Sequence, residues 1–109
     1  MSGHLGEFEQ IVLLAIVRLG ERAYGVPIRQ EIENRTGRRT SVGALYSTLD
    51  RLEAKGHVHS WFAEATAQRG GRSKRYFRVL PEGLQSLTRS KSMLDRMWQG
   101  VKVKEAFHA

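Results

Sequence analysis

The sequence predicts a mainly α fold carrying one small β-hairpin, in the order α-α-α-β-β-α. Three observations carry that expectation. Apolar residues recur at helical spacing in four separate stretches, the period shifts from 3.6 toward 2 after Gly56, and the paired glycines Gly70 and Gly71 split that second region into two strands. With 109 residues, the chain is long enough for one modest core and too short for two.

The first helix is expected over Leu5 to Leu19. Leu5, Phe8, Ile11, Val12, Leu14, Ala15, Ile16 and Leu19 leave it little polar face, and Gly20 ends it. Such a helix must be widely buried: either it runs through the middle of the core, or a second subunit covers what one small core cannot. After a turn at Glu21 to Ala23, Tyr24-Gly25-Val26-Pro27 reads as a helix entrance, because proline in a first turn lacks only an N–H that the helix would not use. Val26, Ile28 or Arg29, and Ile32 form a weaker stripe up to Asn34, and Gly37 is placed to stop it.

The stretch Thr40 to Val58 is a two-faced helix. Leu45, Leu49 and Leu52, with Val42 extending them, stack on one side; Ser47, Thr48, Arg51 and Lys55 occupy the other; Gly43 and Ala44 permit close approach to another surface. Thr40 and Ser41 supply capping hydroxyls, and Gly56 follows Lys55 as a stop. Beyond it, His57 to Ala65 and Lys74 to Leu80 are expected strands, with His57 and His59 sharing a face and TAQRGGRS as the turn. Pro81-Glu82 opens a last helix whose Leu84, Leu87, Leu94, Trp98 and Val101 alternate at 3 and 4, a seam that needs a partner. The tail to Ala109 is expected to fray.

Charge and composition narrow the partners. The formal net charge of +7 favours a polyanion, since each neutralised phosphate releases condensed counterions. No run approaches the roughly 18 apolar residues that span a bilayer, and the start lacks a basic n-region, so a soluble cytoplasmic protein without a membrane partner is expected. The absence of cysteine excludes disulfides and thiolate metal sites. No nucleophile elbow, phosphate loop or H-E-x-x-H run is present, and His57 and His59 have no evident third ligand, so no catalytic residue, metal or cofactor is expected.

Two helices joined by a short turn, a basic hairpin and a trailing helix form a winged helix-turn-helix, with residues 1-80 as the DNA-binding part and 81-109 as a dimerisation helix and tail of one compact unit. On residue type and position, Thr40, Ser41, Gly43, Ala44, Ser47 and Thr48 are expected near base edges or sugar-phosphate, and Arg51 and Lys55 at phosphates. Tyr24, Arg38 and Arg39 flank the entrance. Arg69, Gly70, Gly71, Arg72, Lys74 and Arg75 form the basic wing contact. Tyr46 reads either as a phosphate-binding hydroxyl or as a ring half buried beside Leu49. Few long donors stand on the recognition face, so DNA shape is expected to share the specificity. Phe8, Met93, Met97 and Trp98 can line a pocket for a small aromatic effector between subunits; the alternative is that Trp98 only fills the dimer core.

The residues also resemble the PadR-like transcriptional regulators. The resemblance rests on Leu13-Leu14-Ala15-Ile16-Val17, Tyr24-Gly25 with Ile28 and Ile32, the run Gly43-Ala44-Leu45-Tyr46 with Leu49, Arg51-Leu52-Glu53 and Gly56, and Arg75-Tyr76-Phe77 with Gly83, over about residues 5 to 87. One departure is that Leu80-Pro81 stands where the family usually has a capping Thr. The resemblance implies a homodimer in which the last helix packs on the partner's first and last helices. Leu5, Phe8, Val12, Leu84, Leu87, Leu94, Trp98 and Val101 are its expected interface. It further implies a repressor of a near-palindromic operator in double-stranded DNA, released by a small molecule in some members. The alternative is a winged-helix module that binds an acidic protein or anionic surface without reading DNA.

Overall fold

The computed structural model describes residues 4–63 and 73–104. The elements follow in the expected order: α1 (Glu7–Leu19), a 3-10 turn at Gly20–Arg22, α2 (Gly25–Thr36), α3 (Val42–Ala54), β1 (Val58–Ala63), β2 (Lys74–Val79) and α4 (Pro81–Trp98). α1 starts two residues later than expected because Gly6 is extended, and the Glu9 carboxylate reaches back to accept its N–H at 2.9 Å. Gly37 ends α2 at φ 72°, a left-handed conformation that only glycine adopts without strain. Val103 and Lys104 resume helical backbone after Gly100.

Val12, Leu13 and Ile16 of α1, Ile28 and Ile32 of α2, Leu45, Leu49 and Leu52 of α3, and Val58 and Phe77 of the hairpin make one buried core. β1 and β2 pair antiparallel with Val58 opposite Val79, Ser60 opposite Phe77 and Phe62 opposite Arg75. The hairpin root is bound to the entrance of α2: the Phe77 amide donates to the Ala23 carbonyl at 2.9 Å, and Tyr24 bridges Tyr76. α4 is held at its start. Pro81 occupies its first turn without a side-chain cap, the Leu80 amide donates to the His57 carbonyl at 2.8 Å, and Gly83 lies so close to that carbonyl and to Val79 that a Cβ there would collide. From Lys91 onward every described residue is exposed.

Four expectations change here. Val42 does not extend the buried stripe but is half exposed, at the first turn of α3 where the core has not yet closed. His57 precedes β1 and is buried, while His59 is exposed, so the two do not share a face. Leu5 and Val12, expected between subunits, are buried inside the protomer's own core. The interface-capable side of α1 is carried instead by Leu14 and Val17, each 49% exposed.

Candidate nucleic-acid interface

α3 is positioned from both ends. At its start, Ser41 Oγ accepts the Ala44 amide at 3.0 Å, and Arg29 Nε donates to the Thr40 carbonyl at 3.0 Å, tying the turn back to α2. Ser41, Gly43, Ala44 and Ser47 are exposed together, a face of small side chains that lets the helix approach another surface closely. Tyr46 is half buried. Its ring lies over Gly25, where any Cβ would strike it, and 6.4 Å from the Phe77 ring. Of its two readings, the packed ring is the one seen, and it accounts for the Tyr24-Gly25 pair.

Thr48 needs correction: it is 3% exposed and faces the core. Its spacing decided this, because Leu45, Thr48, Leu49 and Leu52 fall on one helical stripe whatever their polarity. Arg51, expected at a phosphate, donates to Glu9 Oε2 at 3.3 Å and to Thr48 Oγ1 at 3.3 Å, while Lys55 Nζ lies 2.9 Å from the same Glu9 oxygen. Burial raises the Glu9 pKa, but the Gly6 amide, the Lys55 ammonium and the Arg51 guanidinium outweigh it and hold the carboxyl below its ordinary value. Nothing in the sequence marked Glu9 for this. It stands on a mostly apolar helix, and the two cations that pair with it are more than forty positions away.

Arg75 also differs from expectation. Strand alternation puts it on the inner face with Phe77, and its guanidinium donates to Ser60 Oγ at 3.1 Å, Asp50 Oδ1 at 3.0 Å and Glu53 Oε1 at 2.8 Å, covering the Phe77 ring at 4.9 Å. Burial lowers its pKa, but Glu53 and Asp50 outweigh that and raise it. Arg75 is thus a strut between hairpin and α3. Glu53 also accepts the Ser60 hydroxyl at 2.7 Å, and with Arg75 this keeps its carboxyl below the ordinary range despite partial burial.

The outward face of the hairpin carries His59, Trp61 and Tyr76 in a stack with ring centroids 5.9 and 6.0 Å apart, and Tyr24 packs on Tyr76 at 5.2 Å with its ring tilted by 57°. Lys74, exposed, sits 4.5 Å over the Tyr24 ring. At the entrance, Arg38 pairs with Glu7 at 3.3 Å, and Arg39 projects with 93% of its side chain exposed, 3.7 Å from Glu33. Arg69, Gly70, Gly71 and Arg72 lie outside the described residues.

Residues 13–89 match the model of the transcriptional regulator PadR-like family. The chain belongs to that family. It is 38% identical over 76 residues to the transcriptional regulator Rv3488 of Mycobacterium tuberculosis, a match covering 68% of this chain and 64% of that protein, so the chain spans somewhat under two thirds of this relative's length. Two solved structures share the fold. A PadR family transcription regulator from Clostridium difficile R20291 aligns at TM-score 0.69 with 24% identity, over 94% of this chain and 99% of that one. F93 from STIV, a winged-helix DNA-binding protein, aligns at TM-score 0.66 with 18% identity, over 86% and 94%. The family is one of regulators rather than enzymes.

In this PadR-like chain, α1 and α4 leave an apolar groove of about 600 Å³ between Leu14, Val17, Leu84, Leu87, Leu94 and Trp98, with the Lys91 and Asp95 ion pair at 2.7 Å beside it. Leu84, Leu94, Trp98 and Val101 are all substantially exposed, and Leu87 is partly buried against the core. The four residues expected to form one effector pocket are not brought together within the protomer. Phe8 lies under the Arg38 guanidinium at 4.7 Å, Met93 lines a separate hollow with His4 and Arg96, Met97 is 73% exposed, and only Trp98 borders the groove. Among the described residues no three His, Asp or Glu side chains gather as a metal site, and no helix is long and apolar enough to cross a membrane.

Proposed function

We propose that two copies of this chain form a repressor that reads an inverted repeat in double-stranded DNA, with α3 of each protomer in the major groove and the hairpin over the adjacent backbone or minor groove. The observation that carries this reading is the small exposed face of Ser41, Gly43, Ala44 and Ser47 at the start of α3. Short side chains let the backbone of an α-helix come close to the floor of a major groove, and Arg39 on one flank and Lys74 on the other are exposed cations able to meet phosphates. A protein-docking face would instead be expected to present aromatic or aliphatic anchors there. The apolar groove between α1 and α4 and the exposed seam of α4 support a second protomer, which would set half-sites about one helical turn apart. A flat aromatic effector bound where the two seams meet is the finer proposal for release, with Trp98 as its stacking surface.

Anisotropy titration of duplexes from the chain's own upstream region against random duplex tests the reading. A preferred inverted repeat is expected, bound more weakly as salt rises. Arg39→Ala with Lys74→Ala removes four cations from the two-copy complex, so it should weaken all duplexes alike and flatten the salt slope by about three to four units. Equal binding to every duplex at moderate salt would reject sequence-specific readout in favour of a general anion-binding module.

A further inference from the structure

We propose that Phe62 is a contact for the uncharged parts of the duplex, deoxyribose faces and thymine methyls, on the side of the hairpin that faces α3. This rests on the reading of α3 as the helix that enters the groove. Phe62 is 69% exposed, and in the antiparallel ladder it stands directly opposite Arg75, so both side chains leave the same face of the hairpin. That face looks toward α3, because Arg75 reaches Asp50 and Glu53, and Ser60, two residues before Phe62 and on the same face, bonds Glu53. Outward along the hairpin therefore corresponds to backward along α3. Ser60 is level with Glu53, Arg75 spans Glu53 and Asp50, and Phe62, about 7 Å further out than Ser60, is on the side of the exposed Ser47 and Gly43 face.

The charges beside it say what it can touch. One guanidinium there is shared between two carboxylates, Asp50 and Glu53, so the cluster under Phe62 carries no surplus positive charge. A phosphate has nothing to gain at that point. A sugar face or a methyl group can cover the exposed ring with no charge to desolvate, which is how apolar side chains contribute to groove binding.

The test compares wild type, Phe62→Ala and Phe62→Leu on the preferred duplex and on random duplex across a salt series, with thermal unfolding of each. Phe62→Ala is expected to raise Kd on the preferred duplex about 5- to 30-fold, with an unchanged salt slope and an unchanged Tm, and Phe62→Leu should recover most of the affinity. Wild-type preference retained in full by Phe62→Ala overturns this proposal alone. A loss accompanied by a flatter salt slope also overturns it, because phosphate contacts would then have been disturbed. A wild type with no preferred duplex overturns the reading of α3 on which it rests.

Discussion

Replacing Arg75 by Gln should weaken DNA binding for a reason opposite to the obvious one. Its three hydrogen bonds, to Ser60, Asp50 and Glu53, leave its side chain only 22% exposed. Asp50 is 64% exposed, so that pair is screened and contributes about 0–1 kcal/mol. The bond to Glu53, 32% exposed, is charge-assisted and better shielded, and contributes about 1 kcal/mol after allowance for solvent. The variant should therefore lose about 1–2 kcal/mol, and about 4–8 °C in Tm for each of those kcal/mol. It also uncovers two carboxylates beside the proposed DNA face. At about 7 Å each would oppose a phosphate by roughly 0.6 kcal/mol in water, before salt screening. Together these effects predict about a five-fold rise in Kd. Adding Asp50→Asn to Arg75→Gln should restore much of the affinity, and the deficit of Arg75→Gln should shrink as salt rises, because the repulsion is screened. Anisotropy titrations of the four-member cycle over a salt series decide it. If Asp50→Asn restores nothing, the loss does not come from the uncovered carboxylates, Arg75 touches a phosphate and the strut assignment is wrong.

Two further outcomes follow from the same geometry. The Glu9 carboxyl is held below its ordinary pKa by Gly6, Lys55 and Arg51, so its contribution is fully present above the unfolded carboxylate pKa and lost as pH falls through the lower folded value. Glu9→Gln should destabilise at pH 7 by about 1–3 kcal/mol, since it leaves Lys55 and Arg51 without their shared partner, and the difference from wild type should shrink below about pH 4; equal Tm values at pH 7 would refute the clamp. Leu94→Asp puts a charge in the exposed α4 seam while touching no core residue, so it should shift sedimentation from dimer to monomer and abolish cooperative binding to an inverted repeat without lowering the monomer's helicity. A wild type that sediments as a monomer at tens of micromolar would refute the seam as the interface.

The order of elements was legible from local signals. Gly37 as a stop, Ser41 as a cap and Pro81 as a start each act over a few residues and lie where those signals placed them, and apolar spacing picked out the buried stripes except at Val26 and Val42, which are exposed. The small outer face of α3 was legible for the same reason, with the exception of Thr48, where polarity was weighed above spacing. Family membership was also readable, since the buried leucines and Tyr46 of α3 are packing requirements written into a short stretch, and Gly56 just beyond it takes a positive φ of 80°.

What tertiary structure alone decided was the disposition of charge and of apolar surface. The sequence determines a net charge of +7, but which cations are paired depends largely on acids distant in the chain: Glu9 pairs with Arg51 and Lys55, Asp50 and Glu53 with Arg75, and Glu31 with Arg18. Likewise, α1 reads as apolar almost all round, and only its packing in the tertiary fold buries Val12 while leaving Leu14 and Val17 facing out beside Leu94 and Trp98. Hydrophobic periodicity is a property of neighbours along the chain and can be read from it. Ion pairs and exposed faces are set by neighbours in space, so the basic residues that look alike in the sequence become struts at Arg51 and Arg75 and exposed cations at Arg39 and Lys74.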